Sequence, residues 1–385
     1  MTRVLVVDDS ALMRRLLGEV LSANGFQVSF ARDGLEALDA IAADPPDVVT
    51  MDVQMPRMDG LAALDRIMLE HPVPVVMLSS LTGAGTEATL EALRLGAVDF
   101  LPKPAGAASL SMNELTPVLL EKLRAATGAR LRRSHRLAER VRLRAGLPAG
   151  PGPARFDAPG PVQSDALRPA RSSAPGPAQP SAPAAEPARP ALRGDPPGIV
   201  LVGCSTGGPP ALDALLAPLP ADFPWPILIA QHMPAGFTGA LARRLDRLCA
   251  LTVEEVLRPV RLLPGHAYVG RGDADLILGR RPAGLVAMAA PADPLHRWHP
   301  SANRMVESAM ALLPAARLIG VLMTGMGDDG AATMARLRAA GGRTIAEAEE
   351  TAVVWGMPGA LVRAGGAGAV LPLGGIAGAL RRWLA

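Results

Sequence analysis

Cysteine is almost missing: Cys204 and Cys249 are the only two in 385 residues, which excludes a disulfide framework. Both read as small buried apolar groups. No uninterrupted apolar run reaches the ~20 residues of a membrane-spanning helix, so membrane insertion is not expected. The opening residues Met1-Thr2-Arg3-Val4-Leu5-Val6-Val7-Asp8-Asp9 lack a secretory pattern, because the apolar run is short and carboxylates follow at once. A cytoplasmic protein is expected. No internal repeat links the two halves, and no compact helix-turn-helix pattern is present, so nucleic acid is not an expected partner. The glycine-rich run Gly203–Gly208 lacks the Gly-Lys-Ser/Thr ending that holds β and γ phosphates, which weakens a nucleotide cradle.

What is present is unevenly distributed. The net charge is +3, yet Lys122 to Arg144 carries nine Lys or Arg against the single acid Glu139. Such a stretch could touch nucleic acid or an acidic protein, but a solvated connector is the commoner outcome. From Pro148 to Pro197 there are 14 prolines in 50 residues, a density that denies regular backbone ladders. This predicts an extended linker and three parts: 1–126, a basic, proline-rich linker at 127–197, and 198–385.

The first part alternates strand-like and helix-like segments. Strands are predicted at Arg3–Val7, Gln27–Ala31, Val48–Met51, Val75–Leu78 and Ala97–Leu101, with helices between them. Five strands alternating with helices predict a doubly wound parallel α/β sheet, whose chemistry gathers at the carboxyl ends of the strands. Asp8, Asp9 and Asp52 end the first and third strands. Three converging carboxylates repel one another unless a cation neutralises them, and an all-oxygen set selects Mg²⁺. Ser79 ends the fourth strand and Lys103 follows the fifth; both suit a phosphoryl group. Together they describe an aspartyl-phosphate site.

The last part also alternates, with strands expected at Gly198–Val202, Trp225–Ala230, Ala267–Gly270 and Leu318–Met323, which predicts a second doubly wound α/β sheet. Ser205, within Gly203-Cys204-Ser205-Thr206-Gly207, sits on a strand-to-helix turn flanked by glycines, the setting of an exposed nucleophile. A helix-capping serine in a plain turn is the alternative. A serine nucleophile needs a base. Of six histidines, His71 and His135 lie outside this part; His232, at the end of the strand Ile227–Gln231, is best placed, with His266 and the pair His296/His299 as rivals. An orienting carboxylate comes from Asp328 or Asp329, which spacing alone does not separate. Cys204 is a further candidate nucleophile.

Two resemblances follow. Val4–Ser10, Thr50–Gly60 and Leu101-Pro102-Lys103-Pro104 resemble a two-component receiver domain. That implies Asp52 as phosphoacceptor from a histidine kinase, Asp8, Asp9 and Asp52 around Mg²⁺, Ser79 and Lys103 as phosphoryl-site support, and Phe100 at the family's switch aromatic. Val202–Gly208, Ala230–Pro234, Leu263–Val269, Met323–Gly330 and Val354–Pro358 resemble the catalytic domain of chemotaxis protein-glutamate methylesterases. By that resemblance Ser205 is the nucleophile, His232 the general base and acid, and Asp329 the orienter, with no cofactor for the ester step. The implied substrates are γ-methyl glutamyl esters of chemoreceptors, with deamidation of receptor glutamines. An unphosphorylated receiver packing over the Ser205 edge is expected to restrain the enzyme. Pro300-Ser301-Ala302-Asn303 stands where the family carries Pro-Ser-Val-Asp.

Overall fold

Runs such as Val4–Val7 and Ile199–Val202 are apolar at every position, so a strand built from them must be covered on both faces. A computed structural model, which describes residues 1–79, 83–103, 108–131 and 195–384, meets this demand twice. Strands β1 (Arg3–Val7), β2 (Gln27–Ala31), β3 (Val48–Asp52), β4 (Val75–Ser79) and β5 (Asp99–Pro102) form one parallel sheet in the order β2-β1-β3-β4-β5. Helices α1 (Ala11–Ala23), α2 (Gly34–Ala43), α3 (Gly60–Glu70), α4 (Gly83–Leu95) and α5 (Ala108–Thr127) alternate with the strands. Ser10, Asp33 and Asp59 accept first-turn N–H bonds and so fix where α1, α2 and α3 begin.

The second sheet has seven parallel strands. Its members are β6 (Ile199–Cys204), β7 (Ile227–Gln231), β8 (Thr252–Val256), β10 (His266–Gly270), β13 (Leu318–Leu322), β14 (Arg343–Glu347) and β15 (Ala369–Leu371). They lie in the order β15-β14-β13-β6-β7-β10-β8. Its helices are α6 (Gly208–Leu216), α7 (Phe237–Leu248), α8 (Ala302–Leu312), α9 (Ala331–Ala339), α10 (Met357–Arg363) and α11 (Leu373–Leu384). Beside it lies a small antiparallel sheet of β9 (Val260–Arg261), β11 (Ala274–Arg281) and β12 (Gly284–Pro291) that the sequence did not predict. Charged Arg280 and Arg281 next to the turn dilute the apolar run there.

Alternate residues of each central strand feed opposite faces. Val200 and Val202 join one apolar cluster and Ile199 and Leu201 another, while Leu5 and Val7 oppose Val4 and Val6 in the first sheet. One cluster is continuous from Leu5 and Met51 through Phe100 and Phe237 to Val200. The chain on either side of residues 135–194 accordingly packs as one compact unit. All of the proline-rich stretch before Asp195 and most of the basic run, with His135, lie outside the described residues. Lys122 departs from a solvated connector: it is partly buried and paired with Asp99 at 2.6 Å.

Candidate active site

Strand register decides what meets at each sheet edge. In the first sheet, Asp52 ends β3 beside β1, and Asp8 and Asp9 follow β1 directly. The three carboxylates offer oxygens within 4.8 Å of one another, Asp8 and Asp52 buried and Asp9 exposed. Lys103 Nζ reaches Asp8 at 2.8 Å and Asp52 at 2.7 Å. Burial pushes the Asp52 carboxyl above its ordinary value; Lys103 opposes this, and the Asp8 charge adds to it. Burial alone would lower the Lys103 ammonium, but its bonds to Asp52 and Asp8 outweigh that and hold it raised. Ser79 is also at this edge, with its hydroxyl donating to Gly85 O at 3.0 Å. Phe100 points away from solvent onto Phe237, ring centroids 4.5 Å apart.

In the second sheet β6 lies between β7 and β13. Cys204 pairs with Gln231, so Ser205 and His232, one residue further along, leave the sheet side by side. His232 N donates to Cys204 O at 3.1 Å and Ser205 N to Thr324 O at 2.9 Å. Buried Gln231 clamps both turns, donating through Nε2 to Ser205 O and to His232 O, each at 3.0 Å. Gly207 holds φ +73°, and a Cβ on Gly208 would lie 1.9 Å from Gln231 Oε1, so glycine is required at the turn.

His232 Nε2 meets Asp329 Oδ2 at 2.8 Å, and its Nδ1 is buried with no hydrogen-bond partner. The Asp329 carboxylate also accepts from Ser301 Oγ at 3.0 Å, Ala302 N at 2.6 Å and Asn303 N at 3.0 Å. It therefore sits on the N-terminus of α8, which favours its charge. Burial would raise this carboxyl, yet the His232 bond and charge and the two backbone N–H groups hold it below its ordinary value. Asp328 is exposed and only its carbonyl is engaged, accepting from Ala331 N. The structure thus separates the neighbours that spacing left open.

The rival histidines are engaged otherwise, although His299 also lines the cavity that holds Ser205. His266 begins β10, at the sheet edge opposite Ser205, and bonds Pro264 O at 3.0 Å. His299 Nδ1 is taken by buried Asp275 at 2.8 Å. Burial pushes the Cys204 thiol up, and its Sγ donates to Gln231 Oε1 at 3.1 Å.

Residues from both sheets close over Ser205. A cavity of about 620 Å³ is lined by Ser205, His232 and Trp298 on one side and by Phe100, Lys103 and Lys122 on the other. Thr206 Oγ1 donates to Asp99, Arg297 pairs with Glu121, and Arg130 pairs with Glu349 at 2.7 Å. Sequence reasoning missed Asp99, Gln231 and Trp298. Only Gln231, a polar residue closing an apolar strand, left a local signal.

A carboxylate-and-lysine edge coupled to a Ser, His and Asp gathered at a second sheet edge defines a response-regulator hydrolase. Models of the CheB methylesterase family and of the response regulator receiver domain match residues 200–380 and 4–113. The chain is 54% identical to protein-glutamate methylesterase/protein-glutamine glutaminase 2 of Rhodopseudomonas palustris (strain BisB18), covering 100% of this chain and 98% of that protein. It is 48% identical to the corresponding protein 3 of Rhodospirillum rubrum, over 100% of this chain and 96% of that one. Among solved structures, the Thermotoga maritima CheB methylesterase catalytic domain is similar at 37% identity and TM-score 0.47, covering 48% of this chain and 98% of that one. The chain belongs to the CheB methylesterase family, hydrolases joined to a receiver domain.

Proposed function

We propose that this chain hydrolyses γ-methyl glutamyl esters of chemoreceptors, and deamidates receptor glutamines, through Ser205, His232 and Asp329. The observation that carries the reading is the 2.8 Å His232–Asp329 bond beside Ser205 in one cavity. Ser205 Oγ attacks the ester carbonyl while His232 takes its proton, Nδ1 being the nitrogen not engaged by Asp329. Asp329 holds the ring and offsets the imidazolium charge. The protonated histidine then returns the proton to the departing methanol. Water, deprotonated by the same ring, attacks the acyl-serine and releases the glutamate carboxylate.

Asp52 accepts the phosphoryl group from a histidine kinase. The three carboxylates of Asp8, Asp9 and Asp52 are an all-oxygen set that fits Mg²⁺, which when bound neutralises charge on the incoming phosphate. Lys103, on two of these carboxylates, is placed to follow the phosphoryl oxygens. Ser79 supports the phosphoryl group once its hydroxyl leaves Gly85 O. The receiver comprises 1–126, the linker 127–197 and the catalytic domain 198–385. Unphosphorylated, the receiver covers Ser205; phosphorylation loosens this contact. Support for this comes from Asp99, Phe100 and Glu121, which all engage the catalytic side.

Methanol release from methylated receptor, with and without a phosphodonor, tests the reading. Ser205→Ala should lose at least about 10³-fold of the stimulated rate. Wild-type turnover by that variant would overturn it.

A further inference from the structure

The segment Asp293–Arg304 crosses the active-site cavity as a strap, and both of its ends converge on one buried side chain. Asp275, fully buried on β11, accepts from Asp293 N at 3.1 Å near the start of the strap. Near its end it accepts from His299 Nδ1 at 2.8 Å, Ser301 N at 2.8 Å and Arg304 Nη1 at 2.6 Å. Four bonds to one carboxylate leave the intervening residues little freedom. Burial would raise the Asp275 carboxyl, but these donors outweigh it and keep the group charged.

Trp298 is what the strap presents to the site. Its ring lies 5.8 Å from that of His232, centroid to centroid, with only 12° between the planes. It lines the same cavity as Ser205, and Arg297 lies 5.1 Å from its centroid. The strap's far end, Ser301 to Asn303, holds Asp329. One anchored segment therefore supports both members of the His–Asp pair.

We propose that Trp298 is a positioning residue for His232, its indole face fixing the imidazole in the orientation that keeps Nε2 on Asp329. The inference rests on His232 being the base of the proposed reaction. Stacking leaves a planar ring free to slide but not to tilt, and tilting is the motion that would break the 2.8 Å bond. An aromatic face also attracts the cation that forms when the ring takes the serine proton. The stack is thus stronger in the transition state than before it, and its loss falls on kcat rather than on KM.

Methanol release from methylated receptor by the phosphodonor-activated full chain gives the test. Trp298→Phe keeps a ring face and should hold kcat within about threefold of wild type; Trp298→Leu should lose about tenfold in kcat with KM changed less than about twofold. Trp298→Met replaces leucine in the comparison if the leucine chain melts before the assay temperature. Equal kcat values for the aromatic and aliphatic variants, or a loss confined to KM, would overturn the positioning role. Ser205→Ala run in parallel keeps the two claims apart. An inert Ser205→Ala beside a fully active Trp298→Leu removes only this inference, whereas an active Ser205→Ala removes the nucleophile assignment beneath it.

Discussion

Cys204 and Ser205 are neighbours in the chain and opposites in chemistry. The strand pleat sends the thiol into the core, where burial raises it, and the hydroxyl into the cavity. Cys204→Ala should keep methanol release within about threefold while costing about 1 kcal/mol in denaturant unfolding, the scale of one small core truncation. A rate collapse in that variant would return the nucleophile to cysteine. Asp52 gives a pH prediction. In the metal-free protein its raised value means that it protonates at higher pH than an ordinary aspartate. NMR titration of its side-chain carboxyl carbon, without divalent ion, should therefore give a midpoint above the usual carboxylate range. Lys103 opposes the raising, so Lys103→Met should move that midpoint higher still. A midpoint in the ordinary aspartate range for both proteins would contradict this. Candidate residues could be placed from the sequence when their signal was local. Ser205, Asp52 and Lys103 end or follow recognisable strands, whereas spacing left Asp328 and Asp329 open until the resemblance favoured Asp329, the one that folding puts on His232 and the α8 N-terminus.

At the level of elements, the central parallel strands were readable because burial on both faces demands continuous apolar runs, whereas the parallel strands β8 and β14, interrupted by Glu254, Glu255 and Arg343, were not predicted. The hairpin β11–β12 was not, because one strand end carries Arg280 and Arg281 and part of its surface is wet. β15 was not either, with only three residues and Val370 exposed. The β6–α6 turn carries the next prediction. Gly208→Ala would drive a methyl into Gln231 Oε1, breaking the clamp on the Ser205 and His232 carbonyls. A stability loss of about 1–3 kcal/mol by urea unfolding is expected, with a fall in ester hydrolysis as well. A variant as stable and active as wild type would show that the turn tolerates bulk.

Across the whole molecule, β5 links the two sites. Lys103 follows it at the carboxylate edge of Asp8 and Asp52, while Asp99 and Phe100 on the same strand touch Thr206 and Phe237. Burying a phenylalanine contributes about 1.5–3 kcal/mol, enough to hold the two sheets together and small enough for a phosphoryl group to offset. Asp99→Ala should raise the rate without phosphodonor by roughly 3–10-fold, since it removes a charged acceptor from Thr206. An unchanged basal rate in a folded variant would place the restraint elsewhere. The sequence led to the expectation that the receiver packs over the Ser205 edge, but it named none of these contacts: Asp99 and Thr206 are 107 positions apart.

Labelling of the full chain by a fluorophosphonate, with peptide mapping of the adduct, tests the joint claim most directly. The oxygen–phosphorus bond should form on Ser205 with loss of fluoride, faster after phosphodonor treatment, and no faster in Asp52→Asn. An adduct on another residue, or a Ser205 labelling rate indifferent to phosphorylation, would contradict the account.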